Sequence, residues 1–317
     1  MSVSRHVPAA PLPYAQGSNA RRHLYFAGVV AASILVYWKT LSSLAVFSLH
    51  EESSSHLLLI PIVSIYLLYS ERKRIFISVR SQVVPGVLLI LAGVIFHWLV
   101  ANRFSAAEEQ WVLPAATLSI VLIWVGAFES FYGPDVLRVA SFPLGFLLLM
   151  VPIPESILER VIYFLQSGST DIAYFIFRLF GVPVLRHGFL LSVPGVTIEV
   201  AKECSGIRSS MALFITCLLA AHLFLRTTWR KLLFVLLAVP MALVKNGIRI
   251  STLTLLSIDV DPGFLTGDLH RRGGFVFFLL ALLILALVLM FLEKTERIHY
   301  PESSGIPVKT ETGPLPG

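Results

Sequence analysis

Long apolar runs separated by short polar stretches set the pattern of this chain. Eight runs stand out, at roughly 24–47, 57–69, 86–101, 111–128, 137–151, 206–225, 232–257 and 274–292. At about 1.5 Å per residue, a run near 20 residues spans the ~30 Å hydrocarbon core of a bilayer. The pattern predicts an all-α polytopic membrane protein with about eight transmembrane helices. The second run is short, and its start falls in the stretch Glu51 to His56. Lys39 interrupts the outer half of the first, where it can snorkel or mark the end of that helix.

The polar stretches carry an orientation. Arg21 and Arg22 precede the first run, which reads as an uncleaved signal anchor. Arg72, Lys73, Arg74 and Arg80 follow the second run, Arg226, Arg230 and Lys231 the sixth, and Lys294 and Arg297 the eighth. With eight spans all of these lie on one side, and an excess of Lys and Arg in short loops marks the cytoplasm. Arg271 and Arg272 go against the rule on the outer side. Both termini are therefore expected in the cytoplasm, with the protein multi-pass in the inner (cytoplasmic) membrane. Residues 1–22 and 293–317 read as short disordered tails around one membrane-embedded domain, 23–292.

The longest outer segment, 152–203, divides in two. From Ser156 to Phe180 apolar residues recur at helical spacing between charged ones, which predicts two interfacial helices broken near Gly168. Beyond them, Pro194-Gly195 separates two β-rich runs, 189–193 and 196–200. That predicts a small extracytoplasmic β-hairpin leading straight to Cys204.

Composition agrees and removes other classes. The 317 residues are 56% hydrophobic and 14% charged, with a mean hydropathy of +0.79. A soluble fold cannot hide that much apolar surface, so the lipid bilayer is the first partner. The formal charge of +6 sits in short loops, which suits orientation in a membrane rather than nucleic-acid binding. The two cysteines, Cys204 and Cys217, would stand about 20 Å apart on one helix, too far for a disulfide. There is no C-x-x-C pair, no H-E-x-x-H run and no Walker-type glycine loop, so neither a metal nor another cofactor is expected.

Candidate chemistry gathers at the outer ends of three spans. Glu203-Cys204-Ser205-Gly206-Ile207-Arg208-Ser209-Ser210 opens the sixth, with Cys204 or Ser205 as its natural N-cap. Unpaired N–H groups and the helix dipole at such an end favour a thiolate and can serve as an oxyanion hole. Arg208, four residues on, can add positive charge, and the small Ser205 and Gly206 allow a substrate backbone to approach. Cys217, among Leu, Ala and Ile, reads as a small core residue. Lys245-Asn246-Gly247-Ile248-Arg249 lies inside the seventh span, with Asn246 and Arg249 on one face and Arg249 near the outer surface. The following loop holds Asp259, Asp261, Asp268 and His270. His270 returns to the depth of Cys204 and Arg249, and Asp268 can orient its ring. The roles that follow are Cys204 as nucleophile, His270 as proton carrier and Arg249 as oxyanion stabiliser or substrate clamp.

Cys204-Ser205-Gly206-Ile207-Arg208-Ser209, then Asn246-Gly247-Ile248-Arg249, then His270 resemble the exosortase/archaeosortase family in order, spacing and place on the spans. Ser55-His56 before an apolar run with Pro61 looks like the family's early Ser-His-Gly segment, with Leu57 where glycine is expected. Phe142-Pro143-Leu144 through Pro152-Ile153-Pro154 resembles its middle signature. The resemblance implies a membrane-embedded cysteine protease or transpeptidase with catalytic Cys204, Arg249 and His270. Its partners would be membrane-anchored secreted proteins ending in a sorting signal, Pro-Glu-Pro in the bacterial branch, followed by an apolar helix and a basic cluster. Two rivals remain: a polytopic glycosyltransferase or polymerase of lipid-linked glycan assembly, using the aspartate loop and a metal, and a transporter lined by Lys245, Asn246 and Arg249.

Overall fold

The structure is a computed structural model that describes residues 16–77, 79, 82–103, 109–261, 263 and 274–299. These residues are mostly helical and form two compact units, one ending at Ser156 and one beginning at Ile157. Five helices are long and apolar enough to cross a membrane, or up to seven if each of two bent helix pairs counts as one span.

In the first unit the predicted first run becomes two helices, α1 (Gln16–Val36) and α2 (Trp38–His50), bent by 76° at Tyr37. Lys39 therefore lies next to a break, in the first turn of α2. The second run becomes α3 (Leu59–Ser70), which at 12 residues reaches about 18 Å, short of the hydrocarbon thickness. A single turn, α4 (Arg72–Ile75), follows it. Then come two long helices, α5 (Val83–Arg103) and α6 (Glu109–Tyr132). The fifth run is not one helix but a staircase of α7 (Pro134–Val139), α8 (Ser141–Phe146) and a 3-10 turn at Leu147–Met150.

Helices α5 and α6 touch backbone to backbone. A Cβ on Gly126 would lie 2.8 Å from the Gly86 carbonyl oxygen, and one on Gly93 2.9 Å from that of Ser119. Close approach through small residues is how helices associate in lipid, where dispersion replaces the hydrophobic drive. The two upstream segments of the family resemblance meet in this unit, where Ser64 Oγ of α3 donates to the Pro143 carbonyl of α8 at 2.6 Å. His56 lies between α2 and α3. Burial pushes its imidazole below the usual histidine range, opposed in part by a backbone hydrogen bond at Ser53. At the other end of α3, His23, Phe26, Leu68, Tyr69, Arg72, Lys73, Phe76, Phe128 and Tyr132 line an aromatic cavity of about 520 Å³.

The second unit, from Ile157 on, takes in all but the first two residues of α9 (Glu155–Leu179). The expected break near Gly168 does not occur: a single helix of 25 residues runs through it. Glycine costs a helix only about 1 kcal/mol, and here it serves a contact, because a Cβ on Gly168 would lie 2.9 Å from Leu243 Cδ2. The buried face of α9 is Leu165, Gln166, Ser169, Thr170, Ala173 and Phe177.

The predicted hairpin is present as β2 (Leu190–Val193) and β3 (Val196–Glu199), preceded by a third strand, β1 (Leu185–His187). The sheet is antiparallel in the order β1-β2-β3, with Val193 opposite Val196. Pro194 presets φ for the turn, and Gly195 at φ +89° takes the left-handed position. Ala173 and Phe177 of α9 pack with Leu191, Val193 and Val200 into a small core.

The rest of the unit is α10 (Ile207–Phe224), α11 (Thr228–Asp259) and α12 (Gly274–His299). Leu213, Cys217 and Ala221 of α10, Phe234, Ala238 and Ala242 of α11, and Ala281, Leu285 and Leu292 of α12 make their shared core. Cys217 is a core residue, as its apolar neighbours in the sequence predict. Glu296 of α12, only 4% exposed, accepts the N–H of Arg226 at 2.9 Å and of Thr227 at 2.5 Å, and the Thr227 hydroxyl as well. These donors sit at the start of α11, where a helix leaves its first N–H groups without internal acceptors.

Candidate functional site

The stripe that packs α11 changes character partway along. Phe234, Ala238 and Ala242 are followed at the same helical spacing by Lys245 and Asn246, which are 5% and 1% exposed. Two polar residues thus continue the buried face where the apolar core ends. Gly247 lets α11 approach α9, since a Cβ there would lie 2.7 Å from Ile172 Cβ.

Opposite this polar stretch lies the cysteine segment. Residues Lys202–Ser205 form a 3-10 turn, and Gly206 follows at φ +74°. The N-cap of α10 is therefore Gly206, not Cys204 or Ser205 as the sequence suggests. A residue with a Cβ pays roughly 1–2 kcal/mol for the left-handed conformation, and a Cβ here would also lie 3.1 Å from Asn246 Oδ1. The chain thus reverses sharply between Cys204 and the helix. The first backbone bond of α10 runs from the Ser210 N–H to the Gly206 carbonyl at 2.9 Å. The N–H groups of residues 207–209 have no acceptor within the helix and give this end its positive potential.

Side chains of α9, α10 and α11 hold that reversal. Asn246 Nδ2 donates to the Cys204 carbonyl at 2.8 Å and to Ser169 Oγ of α9 at 3.1 Å. Lys245 Nζ donates to Ser209 Oγ, and Ser209 Oγ donates to the Gly206 carbonyl at 3.0 Å. Ser210 Oγ donates to the same carbonyl at 2.8 Å. Upstream, the Gln166 amide donates to the Val200 carbonyl, and the Val200 N–H donates to the Phe189 carbonyl at 3.0 Å. The segment is thus held before, at and after the cysteine.

Cys204 itself is half-buried and packs, with Ile250 and Leu255, against the core beneath the sheet. Ser205 is 1% exposed, and its hydroxyl has no hydrogen-bond partner among the described residues. Asn246 Oδ1 is likewise buried and unpartnered there. Arg208 is exposed on the first turn of α10, and Arg249 is half-buried one turn beyond Lys245 on α11.

Of the residues singled out in the sequence, Cys204, Ser205 and Asn246 come together around one carbonyl and one turn. Arg208 and Arg249 sit on the two helices that frame it. Asp268 and His270 lie outside the described residues. Among the described residues no group of three or more His, Cys, Asp or Glu side chains is arranged to hold a metal ion. The sequence alone gives no role to Gln166 and Ser169, places Ser209 only within the cysteine motif, and offers Lys245 only as lining for a transporter. The first two carry a visible signal: they are polar residues on the face of α9 that its apolar periodicity marks as buried.

The model of the family described as Transmembrane exosortase (Exosortase_EpsH) matches residues 38–287. That range takes in the upstream segments, the sheet, the cysteine turn and the polar stretch of α11. No curated protein and no solved structure matches the chain.

Proposed function

The chain belongs to the transmembrane exosortase family, and on that premise we propose that it is a membrane-embedded cysteine protease or transpeptidase with Cys204 as its nucleophile. The observation that carries the reading is the hydrogen bond from buried Asn246 to the Cys204 carbonyl. A polar side chain placed deep in a span is costly unless it serves a partner. Here it fixes the main chain of the residue whose thiol the chemistry needs.

In this mechanism His270 takes the thiol proton and Cys204 Sγ attacks the scissile carbonyl carbon. The α10 N-terminus and Arg249 stabilise the oxyanion. The C–N bond breaks as His270 returns the proton to the leaving amine, which leaves an acyl thioester on Cys204. Water, or the amine or hydroxyl of an acceptor, gives a proton to His270 and attacks the thioester carbon, the C–S bond breaks, and His270 passes that proton to the sulfur to restore the thiol. Ser205, Arg208 and Asp268 support the nucleophile, the local potential and the histidine ring.

The substrates we assign are membrane-anchored secreted proteins ending in a sorting signal of the Pro-Glu-Pro type. The protein would sit in the inner membrane with both termini in the cytoplasm and the site on the outer face, as the short basic loops favour. The test is to co-express the chain with a substrate carrying such a C-terminal signal and to follow removal of the signal by immunoblot. Cys204→Ala and Arg249→Ala are each expected to leave the larger, unprocessed band. Normal processing by both variants refutes the roles assigned.

A further inference from the structure

Lys245 is the one buried cation of α11, and the mechanism above gives it nothing to do. It is 5% exposed in the middle of an apolar helix. Lys245 takes part in none of the ion pairs seen among the described residues, such as Arg186–Asp171 and Lys202–Glu159, so no carboxylate there neutralises it. A buried charge of this kind costs several kcal/mol unless something compensates it, and intramembrane cations mark functional sites by default. Its partner is the Ser209 hydroxyl, which passes the contact on to the Gly206 carbonyl. The ammonium thus ends on the turn that carries the cysteine, beside the end of α10 whose dipole already favours a negative charge.

We propose, on the reading that Cys204 is the nucleophile, that Lys245 is a positioning residue of the site: held on Ser209, its charge fixes the turn from Cys204 to Gly206 and favours the thiolate of Cys204. The acidic groups on the elements around the turn are Glu159 of α9, paired with Lys202, Asp171 of α9, paired with Arg186 of β1, Glu155 of α9, Glu199 of β3 and Glu203 beside the cysteine, and the basic ones include Arg160 and Arg178 of α9, Arg208 of α10 and Arg249 four residues on. A buried cation held on the first turn of α10 favours an anion beside it, and Lys245 is that cation. Asn246 next to it holds the Cys204 carbonyl, so consecutive residues of one helix set the place and the charge of the nucleophile.

The experiment measures the rate at which a small maleimide labels Cys204 in the membrane-embedded full chain from pH 5.5 to 9.5, with the labelled peptide identified by mass. Cys217 is sealed in the helical core at 2% exposure, so the two thiols separate. Lys245→Met keeps the length and removes the charge. It is expected to move the labelling midpoint up by about one pH unit and to slow labelling at pH 7 about tenfold. Lys245→Arg is expected to restore the parent midpoint. Ser209→Ala, which keeps the ammonium but frees it from the turn, should shift the midpoint in the same direction by less, and it carries the test if Lys245→Met fails to accumulate. A parent-like midpoint in Lys245→Met, or in Ser209→Ala should only that variant accumulate, overturns the proposal, even if processing falls. A shifted midpoint in an otherwise intact chain whose Cys204→Ala form still processes substrate would instead refute the protease reading and leave the Lys245 effect standing.

Discussion

Replacing Asn246 with leucine, an uncharged side chain of similar branched shape, tests the clamp on the cysteine directly. The leucine keeps a similar branched shape and brings no charge, but it lacks the Nδ2 donor, and with it the bonds to the Cys204 carbonyl and to Ser169 Oγ. Both acceptors lie in a buried setting, with Asn246 1% and Ser169 0% exposed. Leaving a buried polar group unsatisfied costs about 1–3 kcal/mol. Two such losses would amount to about 2–6 kcal/mol if nothing relaxed, and the Ser169 hydroxyl can turn to another acceptor, so about 2–3 kcal/mol is the expected loss of stability. The kinetic effect is larger in kind. A misplacement near 1 Å at a reacting group costs on the order of a hundredfold in rate, and the Cys204 main chain is what the bond restrains. Signal removal in a pulse-chase should therefore slow by about two orders of magnitude, while the folded fraction in detergent, read by fluorescence-detected size exclusion, falls only modestly. Parent-like processing by Asn246→Leu in a folded chain would refute the idea that this carbonyl must be held. Equal loss of folding and processing would reduce the residue to a packing role.

Two further outcomes concern the frame of the molecule. Glu296→Ala removes the acceptor that satisfies two N–H groups and a hydroxyl at the start of α11. It should lower stability by about 2–4 kcal/mol, seen as a reduced melting temperature in detergent, with Glu296→Gln recovering part of it. His56 is held neutral by burial, with its folded affinity for a proton below the ordinary value of 6.5. The unfolded chain binds that proton more readily, so the stability contributed by His56 is complete above about pH 6.5 and declines as pH falls toward the lower folded value. The parent's melting temperature should drop between pH 7.5 and pH 5 more steeply than that of His56→Gln, and parallel curves would contradict the burial argument.

Much of the site was legible before the structure because its signals are local. Pro194-Gly195 between two β-rich runs gives a turn by dihedral preference alone, and β2 and β3 pair around it. β1 was not legible, because Leu185-Arg186-His187 is three residues with no alternation to read, and only pairing with β2 makes it a strand. The break predicted at Gly168 failed for a tertiary reason: the glycine is kept for contact with Leu243, not for flexibility. The N-cap is Gly206 rather than the expected Cys204 or Ser205 because the reversal there needs a left-handed residue, which outweighs the usual preference for a side-chain cap. Runs 57–69 and 137–151 look like spans by hydropathy, yet one is too short and the other folds as a staircase. Composition reports that a segment is apolar, not whether its apolar side meets lipid or protein. The pairing of Lys245 with Ser209 joins residues 36 positions apart, and no pattern within either helix announces it.

Val200 has a consequence for how motion reaches the thiol. Its N–H is committed to the sheet through Phe189 and its carbonyl to α9 through Gln166, so neither half of its peptide frame can swing without breaking a bond to a separate piece of the molecule. Fluctuations of the exposed turns of the sheet are damped at this joint before they arrive four residues later. A substrate that brushes or displaces those turns can do so without jostling the sulfur, which leaves the sheet open to variation in shape and sequence while the reactive end stays still.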